Sequence, residues 1–316
     1  MLNYSVHAME SLREVRTLPG MRGKKGCLRT IDEVSHLLQR AVKFALPENG
    51  HIVDFGKAIE LLEPEIVRMP FPVCALEYRV SDFSKIKDDE VAVEKRIALC
   101  LDSPKGSAPI SPYFSWLLRE SEPLFESYGG VIIIPIYCVN DLWMPNAFGT
   151  ALISKTRDAG SEVYPPKGWE KAKTSTVPVA TFPQMFEMAT AIVDQCGVRR
   201  ALEDAHKDTN DEALAVAGLL VALSCSNVSI SGTPAPLKLN QKRMRSGKIP
   251  FDEYKEIVIN TKPHLAGQSR EKHDGRIMPE HLRRGHIRRY ESHKLWINSL
   301  VVNAGNGVAP KSYQVR

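Results

Sequence analysis

The chain has 316 residues, of which 43% are hydrophobic and 25% charged, with a formal net charge of +5. That composition excludes an intrinsically disordered or fibrous protein, and the length is a prior for two domains. No apolar run reaches the roughly 18 residues of a membrane span. The longest, "ALAVAGLLVALS" at 213–224, has the length of a buried core helix.

In chain order, residues 1–29 carry the Gly-rich basic stretch "PGMRGKKG" and are expected to form a flexible leader. They lack the basic-then-apolar pattern of a secretory signal, so a cytoplasmic location is expected. A helix is predicted from Thr30, where Ile31, Val34, Leu37, Leu38, Ala41 and Phe44 recur at helical spacing. Thr30 with Glu33 fits a capping box, and Pro47 stops the helix. "HIVDF" reads as a short strand, and "GKAIELLEPEIVRM" as a helix interrupted at Pro64. "FPVCALEYRV" and "RIALCLD" are strands, with "FSWLLRESEPLF" a helix ending near Pro123.

"GGVIIIPIYCVND" is the clearest buried strand, because its β-branched run suits a sheet interior. Pro135 within it points to an edge or a bulge. "LWMPNAFGTALIS" continues the β-rich block, and residues 155–178 read as a long polar loop. A helical block over 182–223 is expected to break near Gly197 and again near Asp208. Mixed strands and helices without a βαβα rhythm predict an α+β fold, with a mixed domain over 30–228. "SISGTPAP" marks a linker at 229–236, and 237–316 a small β-rich basic module.

The six cysteines form no CxxC pair, so neither a disulfide framework nor a cysteine zinc site is expected, and no cofactor is implied. Glu77 is a carboxylate inside an apolar strand, for which pairing with Arg79 is the simplest account. Trp143 reads as a core anchor, and His206 with Asp204 and Asp208 as an exposed helix end.

Charge divides unevenly. Residues 238–316 hold 17 Lys and Arg against 7 Asp and Glu, a net of +10, which leaves −5 for the rest. That asymmetry suits either a polyanion partner or a basic face paired with the acidic remainder. It peaks at "PEHLRRGHIRRYESHKLW", residues 279–296, with four arginines, one lysine and three histidines.

Three readings of this stretch follow. As a binding strip, Arg283, Arg284, Arg288, Arg289 and Lys294 contact successive phosphates while Tyr290 or Trp296 stacks on a base. Lys242, Arg243, Arg245 and Lys248 extend the strip. As a metal-independent ribonuclease, His281 and His286 act as general base and acid, with the arginines stabilising charge on phosphorus. That needs both histidines on one face, and side chains alternate along a strand. A bulge at Gly285 would shift the parity and unite them; without it they diverge. As scaffold or protein-interaction surface, the arginines are solvated and Trp296, Ile297, Val301 and Val302 supply a core. A metal bound by His281, His286 and His293 is not expected, because the spacing matches no familiar ligand pattern.

The order Asn240, Arg243, Gly247, Lys248, Pro250, Tyr254, then "PEHLRRGHIRR", Trp296 and finally Gly307, Val308, Lys311, Tyr313 and Val315 resembles uncharacterised proteins of tailed bacteriophages and prophages. The likeness covers roughly the last 95 residues well. It implies no activity and no catalytic residue. It implies a phage-encoded protein acting in the host cytoplasm on nucleic acid, DNA or RNA, or on a host protein.

Overall fold

The structure is a computed structural model, and it describes residues 2–81, 93–121, 124–155, 179–260, 281–283, 286–297 and 300–302. The fold is α+β. The chain divides into two compact units: Met1–Val221 with Ser231–Glu256, and Ala222–Ile230 with Ile257–Arg316. None of the helices is long and apolar enough to cross a membrane, among the described residues.

The larger unit is built on a mixed sheet. Its strands are β1 (Val42–Ala45), β2 (Val73–Arg79), β3 (Lys95–Pro104), β4 (Gly129–Val139), β5 (Leu142–Pro145), β6 (Phe148–Ile153) and β7 (Val179–Pro183), with β8 (Val228–Thr233) and β9 (Tyr254–Ile259), which the division of the chain crosses. The order is β7-β6-β4-β3-β2-β1-β9-β8, with β5 paired to β4. β1 runs parallel to β2 and β9, and β2 to β7 pair antiparallel.

Both faces of the sheet are covered, which is why β2, β3 and β4 read as nearly continuous apolar runs. One face, with Val73, Ala75, Ile97, Leu99, Ile132, Ile134 and Ile136, packs in one core with α1 (Tyr4–Val15) and α2 (Lys25–Arg40). The other includes Tyr78, whose hydroxyl donates to Glu212 of α7 (Val198–Leu223) at 2.9 Å. The helices α3 (Phe55–Leu61), α4 (Pro112–Ser121), α5 (Leu124–Tyr128), α6 (Phe186–Cys196) and α8 (Leu237–Arg245) complete the unit.

Several expectations are corrected. The 1–29 segment is not a mobile leader: Val6, Ala8, Met9, Leu12 and Val15 bury one stripe of α1. α1 has no capping side chain of its own. Its orphan N–H groups at Tyr4 and Ser5 instead donate to the Glu77 carboxylate, at 2.7 and 2.8 Å. α2 starts at Lys25, five residues before Thr30, and ends at Arg40. Thr30 is therefore no cap but a buried helix-interior residue, its hydroxyl donating to the Gln184 carbonyl.

The N-terminus of α2 is held by Glu187, which accepts from the N–H groups of Gly26 (2.6 Å) and Cys27 (2.9 Å). A Cβ on Gly26 would sit 2.7 Å from the Glu187 carboxylate, so the glycine makes the approach possible. Val42–Ala45 leaves the helix as a parallel strand, its Phe44 fully buried. "HIVDF" forms no strand; Asp54 accepts from the Lys57 N–H at the start of α3.

Pro135 lies on a central strand, opposite Ala98 of β3. On the other side β6 pairs with β4 only to Ile133, and β5 begins at Ile136. The missing N–H thus falls in the gap between two partner strands, while the Pro135 carbonyl accepts from the Asn146 N–H at 2.9 Å. α7 continues through Asp208 unbroken, after a turn at Gly197 with φ of 82°. The 229–236 linker is largely β8, and the expected β-rich basic module over 237–316 begins instead with a helix, α8, which belongs to the larger unit. The polar loop at 156–178 lies outside the described residues.

Candidate functional site

The smaller unit carries the basic hairpin. β11 (His286–Arg289) and β12 (Lys294–Ile297) pair antiparallel, as do β10 (His281–Arg283) and β13 (Leu300–Val302). β12 is held by the segment before it in sequence. The Asn227 side chain bonds both the N–H and the carbonyl of Trp296, each at 2.8 Å, and the Ser226 N–H donates to the Lys294 carbonyl at 2.9 Å. Asparagine suits this job because its amide offers a donor and an acceptor in the geometry of a peptide group.

Cross-strand partners share a face. Ile287 opposite Trp296 and Arg289 opposite Lys294 lie on one side, and His286 opposite Ile297 and Arg288 opposite Leu295 on the other. Arg288 and Arg289 therefore lie on two faces instead of along a single strip. Ile287 and Lys294 are buried and Trp296 half-buried, while Arg288, Arg289 and Tyr290 are exposed. Lys294 is thus corrected from phosphate contact to buried residue, only 7% exposed. Trp296 belongs partly to the packing of this face.

The chemistry concentrates at the hairpin tip. The Arg288 guanidinium lies 5.2 Å from the centre of the Tyr290 ring, and the His293 ring stacks on Tyr290 at 4.8 Å with the planes 10° apart. The Tyr290 N–H donates to the His293 carbonyl at 2.8 Å, which closes the turn and fixes the two rings together. The Ser292 hydroxyl lies 3.1 Å from His293 Nδ1. Tyr290 is 38% exposed, so this cation and aromatic assembly is open to solvent.

The ribonuclease geometry depends on Gly285. That residue and Arg284 lie outside the described residues, as do the side chains of His281 and Arg283.

The basic segment of α8 is used in two ways. Arg243 is committed inside the unit: it pairs with Glu10 at 2.8 Å, donates to the Ile249 carbonyl at 2.7 Å and covers the Phe251 ring at 4.0 Å. It is removed from the phosphate-contact set on that account. Lys242, Arg245 and Lys248 are exposed.

Two buried carboxylates are the polar centres that sequence reasoning placed poorly or missed. Glu77 does not pair with Arg79, which bonds Glu94 instead. It accepts from the start of α1 and from the Tyr254 hydroxyl, and burial pushes its carboxyl above the ordinary range against those hydrogen bonds. Glu212, fully buried, meets Arg96 at 3.2 Å and the hydroxyls of Tyr78 and Tyr137 at 2.9 and 3.0 Å. Burial raises its carboxyl as well, opposed by the Arg96 charge. Both sites are fully occupied by protein groups and act as structural locks. An acid inside an apolar run signals Glu77; Glu212 follows a polar stretch and carried no such signal.

Trp143 is a buried anchor, its ring 5.3 Å from Tyr4. His206 lies within α7, not at an exposed end, and burial lowers its pKa. Cys27, Cys74, Cys100 and Cys225 are buried, with Cys138 half-buried and Cys196 exposed. Among the described residues, no group of three or more His, Cys, Asp or Glu is placed to hold a metal ion. Compared with family models, with curated proteins and with solved structures, the chain matches none.

Proposed function

We propose that this protein binds nucleic acid through the tip of its C-terminal hairpin, with Tyr290 and His293 as a stacking platform, Arg288 beside it and Arg289 adding positive charge on the other face of the hairpin. The observation that carries the reading is the solvent-open assembly of Arg288, Tyr290 and His293, held by the Tyr290 to His293 backbone bond. Every base offers a π-face, so such a platform takes single strands with little sequence preference, and the cations make binding salt-sensitive. The net charge of +10 over residues 238–316 supports the same direction. The resemblance of the last 95 or so residues to phage proteins supports placing this activity in a bacterial host's cytoplasm, on host or phage nucleic acid.

The test is fluorescence anisotropy with labelled single- and double-stranded DNA and RNA at low salt. Tyr290→Ala is expected to weaken single-strand binding by about 1–3 kcal/mol, the range for one base-aromatic stack. No binding by the wild type, or binding unchanged in Tyr290→Ala, overturns the reading.

A further inference from the structure

A second charged surface lies in the larger unit, on α8. The helix is fastened by one side only. Asn240 bonds the N–H and carbonyl of Phe251, both at 2.7 Å, and Arg243 is held by Glu10, Ile249 and Phe251. At 3.6 residues per turn, Asn240 and Arg243 define the inward face. The opposite face presents Lys238, Lys242 and Arg245, spaced i, i+4 and i+7 along one stripe, and Lys248 follows just after the helix. Residues 237–248, "LKLNQKRMRSGK", contain no carboxylate to neutralise them. Leu237 (78% exposed) and Met244 (57%) flank the stripe on one side and Leu239 (46%) on the other.

We infer that this face of α8 is a second phosphate-tracking contact for nucleic acid, separate from the hairpin tip. The inference rests on the nucleic-acid reading above and adds a surface to it. From Lys238 to Arg245 the helix rises about 10 Å at ~1.5 Å per residue. A B-form strand presents one phosphate per about 3.4 Å of its axis, so three cations over that length match about three successive phosphates. The order of side chains around the helix separates this partner from a lipid surface. A helix lying in a bilayer interface buries a central apolar face and carries its cations at the margins. Here the cations are central and the apolar residues marginal, where they can pack on sugars and base edges. The Asn240 and Arg243 anchors hold the face in place before any ligand arrives, which limits the ordering cost of binding.

The experiment measures the salt dependence of oligonucleotide affinity for the full chain, for K238A/K242A/R245A and for R288A/R289A. Removing three phosphate contacts is expected to flatten the slope of log K against log salt by about 2 on single strands and about 2.7 on B-form DNA. Circular dichroism checks that α8 persists, and K238Q/K242Q/R245Q removes the charge while keeping polar, helix-favouring side chains. An unchanged slope in both α8 variants, with R288A/R289A weakened, overturns the α8 contact and leaves the hairpin reading standing. A flattened slope in the α8 variants with R288A/R289A unaffected does the reverse. Equal capture of wild type and α8 variants by oligonucleotides, with only the wild type held on phosphatidylserine vesicles, assigns the face to lipid and also overturns the inference.

Discussion

Replacing Arg96 with Met isolates a buried electrostatic contact between β3 and α7. Arg96 Nη1 lies 3.2 Å from the fully buried Glu212 carboxylate and 3.3 Å from Asp211, whose side chain is half exposed. The Arg96 side chain is itself only 13% exposed. Removing one partner of a buried pair leaves an uncompensated charge, which costs about 3–5 kcal/mol. The residual exposure of Arg96 and the hydroxyls of Tyr78 and Tyr137, which still serve Glu212, put the expected cost near the lower end, about 3 kcal/mol. For a unit of this size that is roughly 6–12 °C in Tm. In a Glu212→Gln background the buried charge is gone, so Arg96→Met should cost only about 1 kcal/mol, the worth of an ordinary hydrogen bond. The assay is urea unfolding of the two single variants, the double variant and the wild type. The same Arg96→Met cost in both backgrounds would refute a buried, ionised lock between β3 and α7.

Glu77→Gln keeps one acceptor oxygen where two now serve Tyr4, Ser5 and Tyr254, and should cost about 1–3 kcal/mol through a stranded N–H at the start of α1, read by thermal unfolding. Burial raises the carboxyls of both Glu77 and Glu212, so the folded state holds their protons more tightly. That contribution to stability is present at acid pH and is lost as pH rises from the ordinary carboxylate range through the raised values, and Glu77→Gln and Glu212→Gln should each flatten that part of a Tm-against-pH curve. Gly26→Ala forces the Glu187 carboxylate off the start of α2 and should destabilise the fold, with Glu187→Gln producing much of the same loss. A thiol reagent should label Cys196 fast and Cys138 slowly in the native protein, and the four buried cysteines only after denaturation, as followed by peptide mass mapping.

Burial pattern made the sheet legible and left its ends obscure. β2, β3 and β4 are covered on both faces, so "VCALEY", "RIALCL" and "GVIIIPI" stand out as apolar runs bounded by turns. β1 did not stand out, because Val42 and Phe44 satisfy helical spacing from α2 as well as strand alternation, and four residues cannot decide between them. α1 stands where a flexible leader is expected and α2 starts five residues before Thr30, both for one reason. Their caps are carboxylates from distant positions, Glu77 for α1 and Glu187 for α2, and a cap contributed by another element leaves no local signature.

At the site, the tip residues Arg288 and Tyr290 were legible as an exposed basic and aromatic pair. The fate of its neighbours was not. Lys294 is buried because β12 lies against 225–227, and Arg243 turns inward because Glu10 of α1 waits there. Both outcomes depend on contacts more than 60 residues away in sequence. The histidine pair turns on the backbone at Gly285, which lies outside the described residues.

Photocrosslinking tests the central claim most directly. A single-stranded oligonucleotide carrying 5-bromouracil or 4-thiouracil is irradiated with the full-length protein, and the crosslinked peptides are mapped. Crosslinks at Tyr290 or His293, lost as salt is raised and reduced in R288A/R289A, are the predicted result. Crosslinks that avoid the 286–297 hairpin, or none at low salt, would contradict it.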